Sequence, residues 1–464
     1  MFYTSDLITQ YLPWYYLISG YLKNLQIPHW VPLLYQNGYP LLAEGETGIL
    51  SPINSLILFI FPFSVSVNLL YLSYAIIAIA GTYFFLQENN CSKLGSLLGG
   101  LIFILSGFIV SRYFQPSIIF TASLMPWGFL IIQKSSKNTN SLFLLPFLIY
   151  LQLTAGHVQI ALTSIAGYLS YVFILSILKK QNFFQVTKKI LMVIFFTILG
   201  LGLSAIQLLP TARLFTISQR QDWGIAIHFS YSLPESHLIT YLLPGVFGVS
   251  RPGDDLGFTQ IGGGFWELNI TIWTAPFLLA LLPIVIIFKN RNIKTVGALY
   301  IIWAIFLLIS FGGYFKPYWI VAHVPDFPFR APARFALVST FAAASLAAFG
   351  YELITKRLNN YFKVILFTAI ITSVIIQQIL VFNKYFIWEN SQIVLEGLEN
   401  LSEKQLTTPL KLNMSKTDGS PELIFKREFQ KGAIISILTL SILYLWWLFM
   451  QGMRVNLVKR RKKN

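Results

Sequence analysis

Few residues in this sequence are equipped for chemistry, and they are unevenly placed. Asp6, Glu44 and Glu46 are the only acids of the first sixty residues, which hold a single Lys or Arg, Lys23. A carboxylate in such a segment can deprotonate or orient a hydroxyl. Arg330 and Arg334 stand four apart in FPFRAPARF, where the chain enters an apolar run. A guanidinium fork matches phosphate oxygens, and a helix N-terminus favours the same anion. His157 and Gln159 interrupt a long apolar stretch in LTAGHVQ, and Glu267 sits in FWELN just before another apolar run. Polar groups so placed turn toward the protein interior, because facing lipid is costly. Each also has a plainer role: a solvated acid, an arginine snorkelling to headgroups, a histidine satisfied within the bundle. His323 and Asp326 line a cavity or brace loops. Asp254 and Asp255, beside Gly in RPGDDLG, have the pattern of a solvated turn, and the single cysteine, Cys91, offers no disulfide or metal-ligand spacing. No metal and no cofactor is expected.

The elements that must position these groups follow from composition. The 464 residues are 55% hydrophobic, 16% aromatic and only 11% charged, with a mean hydropathy of +0.64. This is the profile of an all-α polytopic membrane protein. Runs long enough to cross roughly 30 Å of hydrocarbon fall near 65–86, 95–113, 117–134, 190–210, 268–288, 295–311, 334–353, 364–383 and 432–452. The run 141–178 is about twice the length of one span and is broken at LTAGHVQ, so it divides into two. The expectation is eleven crossings.

Charge supports that count. With the N-terminal segment outside, the short connections on the other face carry 19 of the 34 Lys and Arg residues and only Glu88 and Glu352 among the acids. Cytoplasmic loops collect such charge. The net charge of +16 is therefore read as membrane topology rather than as nucleic-acid binding. The organisation expected is a first outer loop over 1–64, carrying the chemistry; six spans over 65–210; an outer loop over 211–267; four spans over 268–383, enclosing an outer loop at 312–333; an outer segment over 384–431; and a last span with a basic cytoplasmic tail over 432–464. The acids and most outer arginines cluster at one face. That favours binding or catalysis there over a path through the bilayer, which places its polar groups near the midplane.

Six segments, DLITQYLPWY, IPHWVPLLYQNGYPLLAEGETGILSPIN, AGHVQIAL, SAIQLLPTARL, WELNITIWTAPFLLALLP and FPFRAPARFALVSTFAAASLAAFGYE, resemble in order and spacing the YfhO-type bacterial membrane proteins. The resemblance thins after about residue 355. Such proteins are similar to the C-type glycosyltransferases, which take a sugar from a polyprenyl-phosphate carrier and use an acid of the first outer loop. The resemblance implies sugar transfer to a cell-envelope acceptor, with Asp6 as the catalytic carboxylate. Arg330 and Arg334 would meet the leaving phosphate, and Glu44, Glu46, His157, Gln159 and Glu267 would contribute to substrate binding. Glu46 stands where the family pattern carries a neutral amide. The aromatic run QYLPWYY is expected to stack on sugar rings. A first span normally precedes the acid-bearing loop, so one further upstream helix is expected, for twelve in all. Rival readings are a flippase or exporter of lipid-linked precursors and a non-catalytic assembly subunit.

Overall fold

The computed structural model describes residues 6–32, 34–35, 38–218, 224–247, 264–288, 293–324, 330–382 and 420–461. Within them the chain is all-α, with eight helices long and apolar enough to cross a membrane, and is a multi-pass membrane protein. Helical backbone satisfies its own hydrogen bonds, which is the condition for crossing hydrocarbon.

The first segment is not an open loop. A π-helical turn, Leu7–Tyr11, runs directly into α1 (Leu12–Lys23). Tyr11, Trp14, Tyr15 and Ile18 are buried along one side, the i, i+3, i+4, i+7 spacing of an apolar helix face. Ser19 Oγ donates to the Leu58 carbonyl at 2.9 Å, fixing α1 against α2 (Pro52–Ile60). The expected sugar-stacking run is therefore mostly core: Trp14 and Tyr15 are buried, and only Tyr16 of the tyrosines in that run faces outward.

The bundle proper contains α3 (Phe63–Glu88), α4 (Lys93–Ile104), the short α5 (Gly107–Val110), α6 (Pro116–Ser135), α7 (Leu145–Thr154), α8 (Val158–Leu178), α9 (Phe183–Leu203) and α10 (Ala205–Ile217). The division of 141–178 into α7 and α8 is as expected. The span anticipated at 190–210 instead starts at Phe183, because Asn182 and Gln185 form a capping box. It ends at Ser204, whose hydroxyl turns back to the Gly200 carbonyl.

After α11 (Ile225–His228) and α12 (Phe265–Leu268), the chain is non-helical and buried through Ile270, Thr271, Ile272 and Trp273 before α13 (Thr274–Leu281). The helix anticipated from 268 is thus displaced to Thr274. Non-helical backbone inside a membrane bundle must find partners; the Thr271 and Trp273 N–H groups donate to Asn269 Oδ1 and Thr271 Oγ1 at 3.3 and 2.8 Å, and further bonds form at the break between α4 and α5. Gly107 N donates to the Thr271 carbonyl at 2.7 Å, while Trp273 Nε1 and Gln378 Nε2 donate to the Leu105 carbonyl at 2.6 and 2.7 Å. The chain continues through α14 (Ile293–Ser310), α15 (Lys316–Ala322), α16 (Ala336–Thr355), α17 (Asn360–Phe382) and α18 (Pro421–Arg461). The three remaining expected crossings fall on shorter apolar helices, Thr139–Thr154, Thr274–Val285 and Lys294–Ser310. Most of the expected outer segment 384–431 lies outside the described residues, and its end is already the start of α18.

α6 and α16 are the most buried of the long helices. In α16 the run Ala342, Ala343, Ala344, Ala347, Ala348 and Gly350 is fully buried or nearly so, and small side chains let neighbouring backbones approach where no hydrophobic effect drives helices together. A Cβ added at Gly350 would run into the Leu279 carbonyl of α13, whereas one added at Gly20 in α1 meets nothing within 4 Å. Gly350→Ala is expected to lower stability by about 1–3 kcal/mol, read as a lower unfolding temperature of the detergent-solubilised protein. Gly20→Ala should leave it unchanged or raise it slightly.

Candidate functional site

At one end of the bundle the N-termini of α6, α8 and the turn leading to α16 come together under the first segment. The π turn does the first part of this. Its i→i+5 bonding brings residues five apart onto one side, so Asp6 and Tyr11 both face the start of α6. Asp6 Oδ2 accepts from Gln115 Nε2 at 3.0 Å. The Tyr11 hydroxyl donates to Glu46 Oε2 at 2.8 Å and lies 2.7 Å from Ser117 Oγ; having spent its own proton on Glu46, it accepts that of Ser117.

Glu46 is held in place by its backbone. It lies in the turn Gly45–Thr47, whose approach is pinned by α10: Gln207 Nε2 donates to the Leu42 carbonyl at 3.0 Å and Thr211 Oγ1 to that of Ala43 at 2.8 Å. The turn rests directly on Gly156, the residue before the α8 N-cap. Gly156 has φ +123°, and a Cβ there would lie 2.8 Å from the Gly45 carbonyl and 3.0 Å from Glu46 Cα. Only glycine allows both the conformation and the contact.

His157 caps α8. Its backbone N–H donates to Thr121 Oγ1 of α6 at 3.3 Å, which ties the two helix starts together. Its Nε2 is 3.0 Å from Arg334 Nη1 and its Nδ1 is 3.3 Å from the Ile160 N–H. A neutral imidazole carries one ring lone pair, so His157 accepts from one of these two donors at a time, according to its tautomer. Gln159 bridges outward, its Oε1 accepting from Arg334 Nη1 at 3.3 Å and its Nε2 donating to the Arg330 carbonyl at 2.5 Å.

Beneath lies a buried ionic group. Arg334 reaches Glu267 with Nε, at 3.1 and 3.2 Å from its two oxygens, and with Nη2 at 2.5 Å. From the other side Arg112 Nη2 donates to Glu267 Oε2 and to the Glu267 carbonyl, both at 2.9 Å. The Arg112 guanidinium lies 3.8 Å over the Phe108 ring. Arg112 is fully buried, Glu267 is 2% exposed and Arg334 7%, so bulk water does not screen this group. Two guanidiniums face one carboxylate, leaving one net positive charge. Burial opposes ionisation of Glu267, but Arg334 and Arg112 outweigh it and hold the carboxyl at about 2. Asp6 shows the opposite balance: burial raises its pKa, the Gln115 hydrogen bond lowers it, Glu46 raises it and Arg330 and Arg334 pull it down, with a net rise.

Seven of the eight residues expected at a site are thus drawn together: Asp6, Glu46, His157, Gln159, Glu267, Arg330 and Arg334. Glu44 turns away, accepting the Tyr39 hydroxyl. Arg334 differs from expectation in detail, since its fork is occupied by Glu267 and it acts on the site by charge rather than as an open fork. Arg330 is exposed. His323 bonds the Trp319 carbonyl on α15 and is exposed; Asp254, Asp255 and Asp326 lie outside the described residues. Among the described residues no group of three His, Cys, Asp or Glu is arranged to hold a metal ion. Arg112, Gln115, Tyr11 and Ser117 are additions. The signal for Arg112 was a lone arginine inside the run anticipated at 95–113, where a charge facing lipid would be costly. No protein-family model matches the chain, and no curated protein matches it.

Removing the Glu267 charge leaves two buried guanidiniums unopposed. Glu267→Gln is expected to cost about 3–5 kcal/mol, while replacing all three charges with apolar residues (Arg112→Met, Glu267→Leu, Arg334→Met) should recover most of that loss. A carboxyl depressed from 4.5 to about 2 contributes stability fully above pH 4.5 and loses it as pH falls toward 2. Thermal unfolding of the wild type in detergent should therefore weaken through that window, and the Glu267→Gln variant should lack this component.

Proposed function

We propose that the chain is a membrane glycosyltransferase that moves a sugar from a polyprenyl-phosphate carrier to a cell-envelope acceptor. The observation that carries the reading is the half-buried Asp6 carboxylate, held by Gln115 at the start of α6 with its pKa raised, and acted on by the charges of Arg330 and Arg334. In the proposed reaction Asp6 takes the proton of the acceptor hydroxyl as its oxygen bonds to the anomeric carbon. The bond from that carbon to the phosphate oxygen breaks, and the phosphate leaves with the electron pair. Exposed Arg330 supplies donors to it. The net charge of the Arg112–Glu267–Arg334 group and the helix starts at Pro116 and Val158 add a fixed positive potential. The resemblance to YfhO-type proteins supports the same assignment. Transfer is favoured over translocation of a lipid-linked precursor because these charges gather at one end of the bundle. Ser339, Thr340 and Thr355 inside α16, by contrast, hydrogen-bond backbone carbonyls.

The test is incubation of purified protein with a radiolabelled polyprenyl-phosphate sugar and envelope polymer, scoring transfer separately from lipid translocation. Asp6→Asn keeps the Gln115 hydrogen bond and should lower kcat by about 10²–10⁴ with donor binding intact. Arg330→Ala should weaken donor binding as well as turnover, since it meets phosphate already in the ground state. Wild-type transfer by Asp6→Asn would sink the assignment and make Glu46 the next carboxylate to examine. Translocation without transfer would sink the reading as a whole.

A further inference from the structure

The opposite end of the bundle carries an unbalanced cluster of lysines. Its geometry is set by a buried polar junction: Asn89 Oδ1 accepts from Gln133 Nε2 at 2.7 Å and from Thr295 Oγ1 at 2.9 Å, and the Tyr171 hydroxyl donates to Gln133 Oε1 at 2.7 Å. The C-terminal ends of α3, α6 and α8 and the start of α14 therefore share one end. Lys137 lies one turn beyond Gln133 and pairs with Glu88 at 2.6 Å. Lys294 adjoins Thr295, Lys179 follows α8 directly, and Lys189 enters from α9. Among the described residues none of Lys179, Lys189 and Lys294 has a carboxylate partner. Lys179 is half-buried at the end of α8, which packs against both α9 and α14, so Lys179, Lys189 and Lys294 share that end; its pKa is lowered first by burial and then by Lys189, Lys294 and Lys137. At the first turn of α9, on the same end of the bundle, Phe183 and Phe184 are 85% and 74% exposed.

A folded protein that concentrates like charges without counter-charges is completed by an anion. Two exposed phenylalanines beside that anion require an apolar surface as well. We propose that this end of the bundle holds the headgroup of one anionic phospholipid, its phosphate among Lys179, Lys189 and Lys294 and its acyl boundary against Phe183 and Phe184. Phe183 and Phe184 open a membrane-spanning helix, so the lysines beside it lie at a lipid boundary, where the anion at hand is a phospholipid headgroup rather than free phosphate. The site is independent of the reaction at Asp6.

Native mass spectrometry of the full-length protein in mild detergent tests this, with phosphatidylglycerol, phosphatidylcholine or inorganic phosphate added. Phosphatidylglycerol should bind in preference to phosphatidylcholine. Each Lys→Gln change at 179, 189 or 294 should weaken it about fivefold, and the three together about a hundredfold. The triple Lys→Arg variant should retain binding, and Phe183→Ser with Phe184→Ser should weaken it with all lysines in place. Equal binding of phosphatidylcholine, undiminished binding in the folded triple Gln variant, or displacement of the lipid by equimolar inorganic phosphate would each overturn the proposal.

Discussion

The structure depends on one buried carboxylate held between two buried guanidiniums. Taking Glu267, Arg112 and Arg334 out of water is expensive, and their attraction offsets that only where geometry and remaining hydrogen bonds are good. Here most are met: both Glu267 oxygens are used, Arg112 also reaches the Phe108 and Glu267 carbonyls, and Arg334 also reaches His157 and Gln159, while Arg112 Nε has no partner among the described residues. Such a group adds little net stability over an apolar core, but it tolerates only one arrangement. It joins the end of α5, α12, the start of α8 and the turn into α16. Moving any of these by an ångström would strand a charge in low dielectric. The positions of Arg330, His157 and Gln159 are consequences of that constraint.

The carboxylates above the group are fixed differently, through backbone. Glu46 is placed by the contact of its turn with Gly156 and by Gln207 and Thr211 holding the preceding carbonyls. Asp6 and Tyr11 are placed by a π turn that aims both at the start of α6. Two acids and an exposed arginine thus stand over a layer with one net positive charge. Positive charge below keeps a carboxylate ionised, and burial with a second carboxylate nearby does the reverse. Asp6 sits where these compete, and the balance leaves its pKa raised, which suits the proton-accepting role proposed for it.

The spans were legible because hydrocarbon demands long apolar helices, and length and composition register that demand directly. The breaks were not. The non-helical run Ile270–Trp273 is held by tertiary partners at Leu105 and Gly107 and by the Asn269 and Thr271 side chains, which take the Thr271 and Trp273 N–H groups; only the last of these is local, and apolar length alone masks it. The site was legible where polar residues interrupt apolar context, as at His157, Gln159, Glu267 and Arg334. Arg112 was hidden within an anticipated span. The run QYLPWYY shows the limit of composition: its aromatics read as a sugar platform, yet the spacing of Tyr11, Trp14, Tyr15 and Ile18 already described a buried face.

Distance separates the two polar ends of the molecule. α6 has 20 residues and α8 has 21, each about 30 Å long at 1.5 Å per residue, close to the hydrocarbon thickness of a bilayer. Asp6 and Arg330 lie at the N-terminal ends of these helices, and Lys179 and Lys137 follow their C-terminal ends. A single headgroup cannot span that distance, so the phosphate proposed at Arg330 and the headgroup proposed at the lysines would belong to different leaflets. The helices between are packed through Gly128 against Tyr168 and Gly167 against Val338, and the buried hydroxyls of Thr121, Ser123 and Ser164 are turned onto backbone carbonyls. The carboxylates Asp6 and Glu46 stand at one end of these helices, and the acid–base work proposed for Asp6 belongs to that end.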